Sequence, residues 1–328
     1  MRDAQVTIIG AGLSGIMAAR TLMERGVEDV QLTDKGRSVG GRLATRRIEG
    51  GKADHGAQFF TVRSNELQQY VDDWLEKGWV KHWFGDTYPR YTSIDGMNTL
   101  AKRLAEGLDP VLETRITSIK ESIGGFKLTS EAGETCTTGA LIITSPLPQT
   151  IALLEESTVS VNSNAFNQVK QINVDPSFVG LFEITSNTSL PPSGHKDENL
   201  PLGVERIVDH FKKGISKKRI ISMYMDGEWS KEHFEQDESE IIHQMKEKIK
   251  DHVSISSIRS AQVKRWRYAQ STNIIHKPFL NLHEALPLYI AGDTFLHEED
   301  EASRTRFESA FRSGIAAGRH VSSLVKQL

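Results

Sequence analysis

Cysteine is almost absent: one residue, Cys136, stands in 328. That excludes an intramolecular disulfide and a redox-active dithiol, and it fits a reducing compartment. Long apolar runs are also missing. No stretch approaches the ~20 residues a membrane-spanning helix needs, and the segment from Val321 to Leu328 is too polar to be an anchor. Charge of one sign is lacking too, because 40 basic and 43 acidic residues leave −3 and a pI near 6.4. The chain therefore has no electrostatic footprint for nucleic acid or an anionic membrane. The first strand starts too near Met1 to leave room for a cleavable leader, and there is no internal repeat or low-complexity tract. The expectation is a cytoplasmic globular protein. The one basic cluster, Lys212-Lys213 with Lys217-Lys218-Arg219 around Gly214, reads as a solvated hairpin turn.

Against that plain background the first forty residues stand out. Val6-Thr7-Ile8-Ile9 runs into Gly10-Ala11-Gly12-Leu13-Ser14-Gly15 and then an amphipathic segment from Ile16 to Arg25. Strand, tight turn and helix follow in that order. Gly10 takes the turn, Gly12 lets backbone amides approach a pyrophosphate, and Gly15 allows close helix–strand packing. The helix start then presents unpaired N–H groups to the phosphates. A second strand, Val30 to Thr33, ends in Asp34, an acid suited to a ribose with free hydroxyls, so NAD or FAD fits better than NADP. Gly40-Gly41-Arg42, with Arg46 and Arg47 behind it, favours FAD, since a plain dehydrogenase needs no such segment and an arginine neutralises a pyrophosphate with a forked hydrogen bond.

Further along, Asp54-His55-Gly56-Ala57-Gln58-Phe59-Phe60-Thr61 reads as a close-approach turn leading into a short strand. Ser64 or Asn65 caps a helix with an apolar face of Leu67, Val71, Trp74 and Leu75, and residues 79–91 read as irregular and aromatic. A helix carrying Leu100, Leu104 and Leu108 precedes a β-meander over 111–137, which leads into a buried parallel strand, Ala140 to Thr144. Residues from about 160 to 285 change character, with strands at 178–184, 204–208, 220–225 and 261–268 and one helix over 238–250. The end of the chain returns to the pattern of its beginning, with a buried strand from Leu288 to Ala291, then Gly292-Asp293, and a long helix beginning near Ser303. The fold class expected is α/β: a discontinuous Rossmann-type FAD-binding domain (1–62, 96–160 and 286–328) with an inserted α+β substrate domain (63–95 and 161–285) containing an antiparallel sheet.

Together the motifs resemble the FAD-dependent amine oxidase superfamily and, within it, the renalase-like proteins. The resemblance rests on Gly10 to Gly15, Asp34-Lys35, Gly40-Gly41-Arg42, Gly56-Ala57-Gln58-Phe59, Asp95-Gly96-Met97, Gly180-Leu181-Phe182 and Lys264-Arg265-Trp266-Arg267-Tyr268-Ala269-Gln270. It implies noncovalent FAD, with Gly10, Gly12, Leu13, Ser14, Gly15, Gly41 and Arg42 around the pyrophosphate and Asp34 and Lys35 at the adenosine ribose. It also implies Ile116 at the adenine, Ala57, Gln58 and Phe59 beside the flavin, and Gly292 and Asp293 at the ribityl chain. Asp34 stands where most of the superfamily has glutamate.

By the same resemblance, the chemistry is oxidation of 2- or 6-dihydro isomers of NAD(P)H to NAD(P)+ by hydride transfer to flavin N5, with dioxygen reduced to hydrogen peroxide. Such a substrate becomes an aromatic cation on losing hydride and has no proton to remove, so the sequence names no general base. His55 reads as a backbone partner near the substrate rather than a catalyst. Trp266 and Tyr268 share a strand face, either lining the pocket or filling the core. His297-Glu298-Glu299-Asp300 lacks ligand spacing and reads as an exposed acidic loop, so no metal is expected. An amine or carotenoid-type oxidase, and a non-catalytic flavin-binding redox sensor, remain the alternatives.

Overall fold

The computed structural model describes residues 1–325. The chain divides into two compact units, one made of Met1–Gly41, Ala101–Val174 and the residues from Ser271 on, the other of Arg42–Leu100 and Asp175–Gln270.

The first unit holds a mixed sheet in which four strands run parallel. Ala4–Ile9 lies between Val30–Thr33 and Thr135–Ile143, and Leu288–Ile290 adds on the far side of the latter. Val6, Ile8, Leu141, Ile142 and Ile143 have almost no exposed surface, as expected of parallel strands covered on both faces. Ile116–Ser122 and Gly125–Ser130 form the expected meander, and its third strand continues without a break into the buried parallel strand. The helices Leu13–Glu24 and Phe307–Val325 pack closely because the latter is glycine-bearing on its contact face. A methyl on Gly314 would meet the Ser14 carbonyl oxygen at 2.1 Å, and one on Gly318 would meet that of Ala18 at 2.7 Å.

The second unit is built on a five-stranded sheet in the order His195–Lys196, Val204–Asp209, Ile220–Met225, Val174–Ile184, Ile258–Ser271, antiparallel through the first four strands. Alternation decides its two faces. Phe178, Phe182 and Met223 pack with Ile241, Met245 and Ile249 of the helix Glu238–Ile249. Val179, Leu181, Ile220 and Tyr224 pack on the opposite face with Ile48 and Ala53 of the hairpin Thr45–Ile48/Gly51–Asp54.

That hairpin explains one difference from the expected boundaries: residues 42–62 join the second unit by contact. Residues 161–174 join the first, since the helix Ser163–Lys170 sends Phe166 and Val169 into its core, and 271–285 do so through the pairing of Leu280–Asn281 with Leu288–Ile290. Residues 79–91 are not irregular but hold most of a second hairpin, Val80–Phe84 with Arg90–Ser93, which lets aromatic side chains share a face. No strand follows the Gly56 turn; Phe60 makes only an isolated bridge to Tyr91. Ser64 caps its helix as expected, accepting from Leu67 N at 3.2 Å, while Leu75 is exposed.

Candidate functional site

In the first unit the C-terminal ends of the parallel strands collect the glycine turn, Asp34 and Gly292-Asp293 at one edge of the sheet, the usual ligand edge of such folds. Gly10 has φ +109°, and Thr144 Oγ1 donates to its carbonyl at 2.8 Å. A methyl on Gly15 would lie 1.8 Å from that same carbonyl oxygen, so only glycine allows the helix this approach. Gly12 caps the helix from an extended backbone without a side-chain bond, and nothing lies within 4 Å of where its Cβ would be. Leu13 is buried, and Ser14 is 4% exposed with its Oγ lacking any hydrogen-bond partner. Gly40 N donates to Ala11 O at 2.8 Å, and a Cβ on Gly41 would lie 3.4 Å from Gly12 Cα.

Asp34 is already engaged: its two carboxylate oxygens accept from Ala11 N at 2.7 Å and Gly36 N at 2.6 Å. It thereby pins the glycine turn, while each oxygen keeps a second lone pair. Lys35 points to the surface and donates to Gln149 Oε1 at 2.9 Å. Ile116 lies in the core cluster with Ile9 and Ile143, beside a register shift in its strand. Gly292 N donates to Ser313 Oγ at 2.9 Å, and Asp293 is half-buried. The long helix starts at Phe307 and not near Ser303, because Arg306 N is held by Ser309 Oγ at 2.9 Å and Arg306 is paired with Asp300.

In the second unit the turn after Asp54 is fixed by a buried polar network. Gly56 is indispensable there, as a methyl would sit 1.8 Å from Arg42 O, and Ala57 N donates to that oxygen at 2.9 Å. Arg42 Nη1 itself donates to Ala269 O at 3.1 Å. Asp54 has no exposed surface; its Oδ1 accepts from Thr45 Oγ1 (2.6 Å) and Met97 N (2.9 Å), and its Oδ2 from Lys213 Nζ (2.7 Å). Lys213 Nζ also donates to Gln58 O at 2.7 Å and Gln58 Oε1 at 2.9 Å, which uses all three ammonium protons. Gln58 Nε2 donates to Asp54 O at 2.7 Å and to Tyr224 OH, so its amide is spent within the chain. Lys213 is therefore not part of a solvated turn. Asp209 caps the short helix His210–Lys213 and Gly214 ends it in the left-handed region (φ +79°), and this turns Lys213 inward while Lys212 bonds surface carbonyls.

Burial alone would raise the Asp54 carboxyl, but the Lys213 ammonium, the neighbouring His210 ring and the hydrogen bonds from Lys213 and Thr45 bring it below the usual range. Burial pushes Lys213 down, against the attraction of Asp54. His55 is lowered to about 4, first by burial and then by the Lys264 charge. It stacks on Trp266 at 5.5 Å, and Trp266 Nε1 donates to its carbonyl at 2.7 Å, so Trp266 packs against the sheet face and clamps the turn. Tyr268 follows two residues on along the same strand and is half-buried. Phe59 sits among Trp83, Phe84 and His195.

Residues 8–74 match the NAD(P)-binding Rossmann-like domain, and residues 74–322 match the flavin containing amine oxidoreductase family. The chain belongs to that amine oxidoreductase family. It is a flavin-dependent oxidoreductase. Cyclohexylamine oxidase from Brevibacterium oxydans IH-35A shares the fold with a TM-score of 0.71 at 12% identity, over 99% of this chain and 100% of that one. A protein assigned as protoporphyrinogen oxidase from Exiguobacterium sp. 255-15 does so with a TM-score of 0.64 at 12% identity, over 100% of this chain and 99% of that one. The hydroxyneurosporene desaturase of Rubrivivax gelatinosus is 29% identical over 134 residues, which cover 40% of this chain and 23% of that protein.

The first unit fits the dinucleotide part of this family's flavin. A buried, unpartnered Ser14 hydroxyl, free first-turn amides and open space over Gly12 are what a phosphate would fill. Among the described residues no group of three or more His, Cys, Asp or Glu is arranged to hold a metal ion, and no helix is long and apolar enough to cross a membrane. Sequence reasoning missed Lys213, Tyr224 and His210 as partners of the Asp54 turn, and it missed Trp83, Phe84, Arg90, His195 and Arg206 around Phe59. Only Gly214, a helix-stop glycine after a lysine pair, carried any signal for Lys213.

Proposed function

We propose that the chain oxidises 2- or 6-dihydro isomers of NAD(P)H to NAD(P)+ using noncovalent FAD and dioxygen. The supporting observation is that, among the described residues, the two titratable groups of the Asp54–Phe59 turn are poorly suited to take a proton. Asp54 is bound to Lys213, Thr45 and Met97, and His55, held to about 4, is neutral but a weak base near neutral pH. A dihydropyridine needs none, since loss of hydride leaves an aromatic cation with no proton to discard. The flavin, when bound, supplies the electron acceptor. In the first unit Ser14 and the Gly12 amides would hold the pyrophosphate and Asp34 the ribose; in the second unit Phe59 with the clamped His55–Trp266 pair forms a rigid apolar wall. Cys136 is buried in the first unit's sheet, with Gln31 Nε2 3.7 Å from its sulfur, which supports a cofactor held without a thioether link.

Anaerobic mixing of the yellow protein with candidate reductants tests this. Fast bleaching by 2- or 6-dihydro-NAD(P) is expected, with bleaching by ordinary NADH slower by about 10²-fold or more, the order of cost for a misplaced reacting atom. An amine or ordinary NADPH acting faster refutes the reading. The match to hydroxyneurosporene desaturase favours a second reading, a carotenoid-type oxidation. Bleaching by a polyene and by none of the dihydronicotinamides would establish it.

A further inference from the structure

On Phe59 the second unit carries a cationic, aromatic cluster whose other members, Trp83, Phe84, His195, Arg90 and Arg206, the proposed chemistry leaves unused. Phe59, Trp83, Phe84 and His195 pack as a box, with ring centroids 5.6 Å apart for Phe59–His195 and Trp83–His195 and 4.9 Å for Trp83–Phe84 and Phe84–His195. Two guanidiniums lie over it. Arg90 Cζ is 4.9 Å from the Phe84 centroid and 5.6 Å from that of Phe59, and Arg206 Cζ is 5.8 Å from that of Phe59.

Stacking on aromatic faces holds a guanidinium flat and leaves its N–H edge free for a forked contact. Arg206 is partly neutralised by Glu205, and Asp197 Oδ1 lies 3.8 Å from His195 Nδ1. Arg90 has no carboxylate partner among the described residues. Its Nη1 donates to Tyr88 O at 3.1 Å, and its Nε is buried with no acceptor. His195 is 5% exposed, and its Nε2 is likewise buried and unpartnered. Its ring is lowered to about 4, by burial foremost, with Asp197 opposing and Arg206, Arg90 and Lys213 adding to the effect, so it is neutral and carries one N–H. Unsatisfied buried donors beside an unneutralised guanidinium are costly unless an anion meets them. The Phe59, Trp83 and Phe84 rings and both arginines are half-buried, so solvent reaches them.

We propose that Arg90, over Phe84 and Phe59, and Arg206, over Phe59, form beside His195 an anion subsite that takes the diphosphate of the dinucleotide substrate. This rests on the reading above, in which the glycine turn is occupied by the flavin and the substrate's own phosphates need cations elsewhere. The aromatic walls take the sugar faces, and the guanidinium N–H groups donate to the phosphate oxygens.

The test uses the holoprotein and Arg90→Gln, Arg206→Gln and Arg90→Lys. Anaerobic flavin reduction is followed with 6-dihydro-NAD and with 6-dihydronicotinamide riboside, which has no phosphate, and binding of inorganic pyrophosphate to the oxidised protein is followed by calorimetry. The half-saturating concentration of the dinucleotide should rise at least tenfold in each glutamine variant, its advantage over the riboside should shrink by the same factor, and pyrophosphate should bind at least tenfold more weakly. Arg90→Lys should recover part of both. Pyrophosphate affinity and dinucleotide half-saturation unchanged in both glutamine variants overturn the subsite, even if the dinucleotide reduces the flavin rapidly. Arginine-dependent pyrophosphate binding without reduction by any dihydronicotinamide keeps the subsite and defeats the proposed function instead.

Discussion

Replacing Lys213 by methionine should destabilise the protein by about 3–5 kcal/mol, the range for removing one partner of a buried ion pair. Methionine keeps most of the stem's volume, so the loss isolates the ammonium. Three acceptors lose a donor at once: Asp54 Oδ2, Gln58 O and Gln58 Oε1, at 2.7, 2.7 and 2.9 Å. Two of these are cushioned, because Asp54 keeps Thr45 and Met97 on its other oxygen and Gln58 O keeps Thr92 Oγ1 at 3.2 Å. What remains uncompensated is Gln58 Oε1, left without a donor, and the Asp54 charge, left without its counter-ion and with no solvent to receive it. Asp54→Asn in the same background should therefore restore a part of the loss, and the double-mutant cycle should give a coupling above about 1 kcal/mol. Urea unfolding of the holoprotein followed by tryptophan fluorescence measures both, with unchanged m values required for the comparison. A loss under about 1 kcal/mol for Lys213→Met would refute the reasoning, since it would mean that water reaches the site or that Lys213 is uncharged in the native protein.

Ser14→Ala should weaken FAD binding to the apoprotein by about 1.5–3 kcal/mol, the range for a hydrogen bond to a charged group, and leave the urea midpoint of the apoprotein unchanged because that hydroxyl has no partner in the chain; a flavin titration with unchanged affinity would place the phosphate elsewhere. Gly314→Ala puts a methyl 2.1 Å from Ser14 O and should cost about 1–3 kcal/mol by overpacking, read as a lower urea midpoint together with weaker flavin retention. His55 and His195 are lowered to about 4 and His210 to about 3, all three by burial first, so the unfolded chain binds more protons than the native one between about pH 6.5 and 4. Stability is then full above pH 6.5 and falls as pH drops through that window, with a limiting slope of about 4 kcal/mol per pH unit for three sites; a flat profile from pH 7 to 5 in urea titrations would show that these rings are solvated.

The cofactor half of the fold was legible because its signals are local. A strand, a glycine turn and an acid lie within thirty-four residues, and Gly15 answers to a backbone contact inside its own segment, against Gly10 O. Asp34 was found by the same logic, but its bonds to Ala11 and Gly36 were not, since a shortened acid folding back on its own turn leaves no mark in spacing. The second unit resisted for the opposite reason. Lys213 and Asp54 are 159 positions apart, and a lysine followed by more lysines looks the same whether its head is in water or in a cage of three acceptors. What separates the two cases is a cap, Asp209, and a left-handed glycine, Gly214, which together make a helix too short to show any apolar period. Residues 79–91 conceal their hairpin likewise: with strands of only five and four residues and aromatics on both of them, period-two alternation is hidden, although Gly85 at φ +87° marks the turn. Yet this is the hairpin that brings Trp83, Phe84 and Arg90 to Phe59. Contacts between distant short elements such as these leave no local pattern, whereas the strand, glycine turn and acid of the first unit follow one another within a single segment.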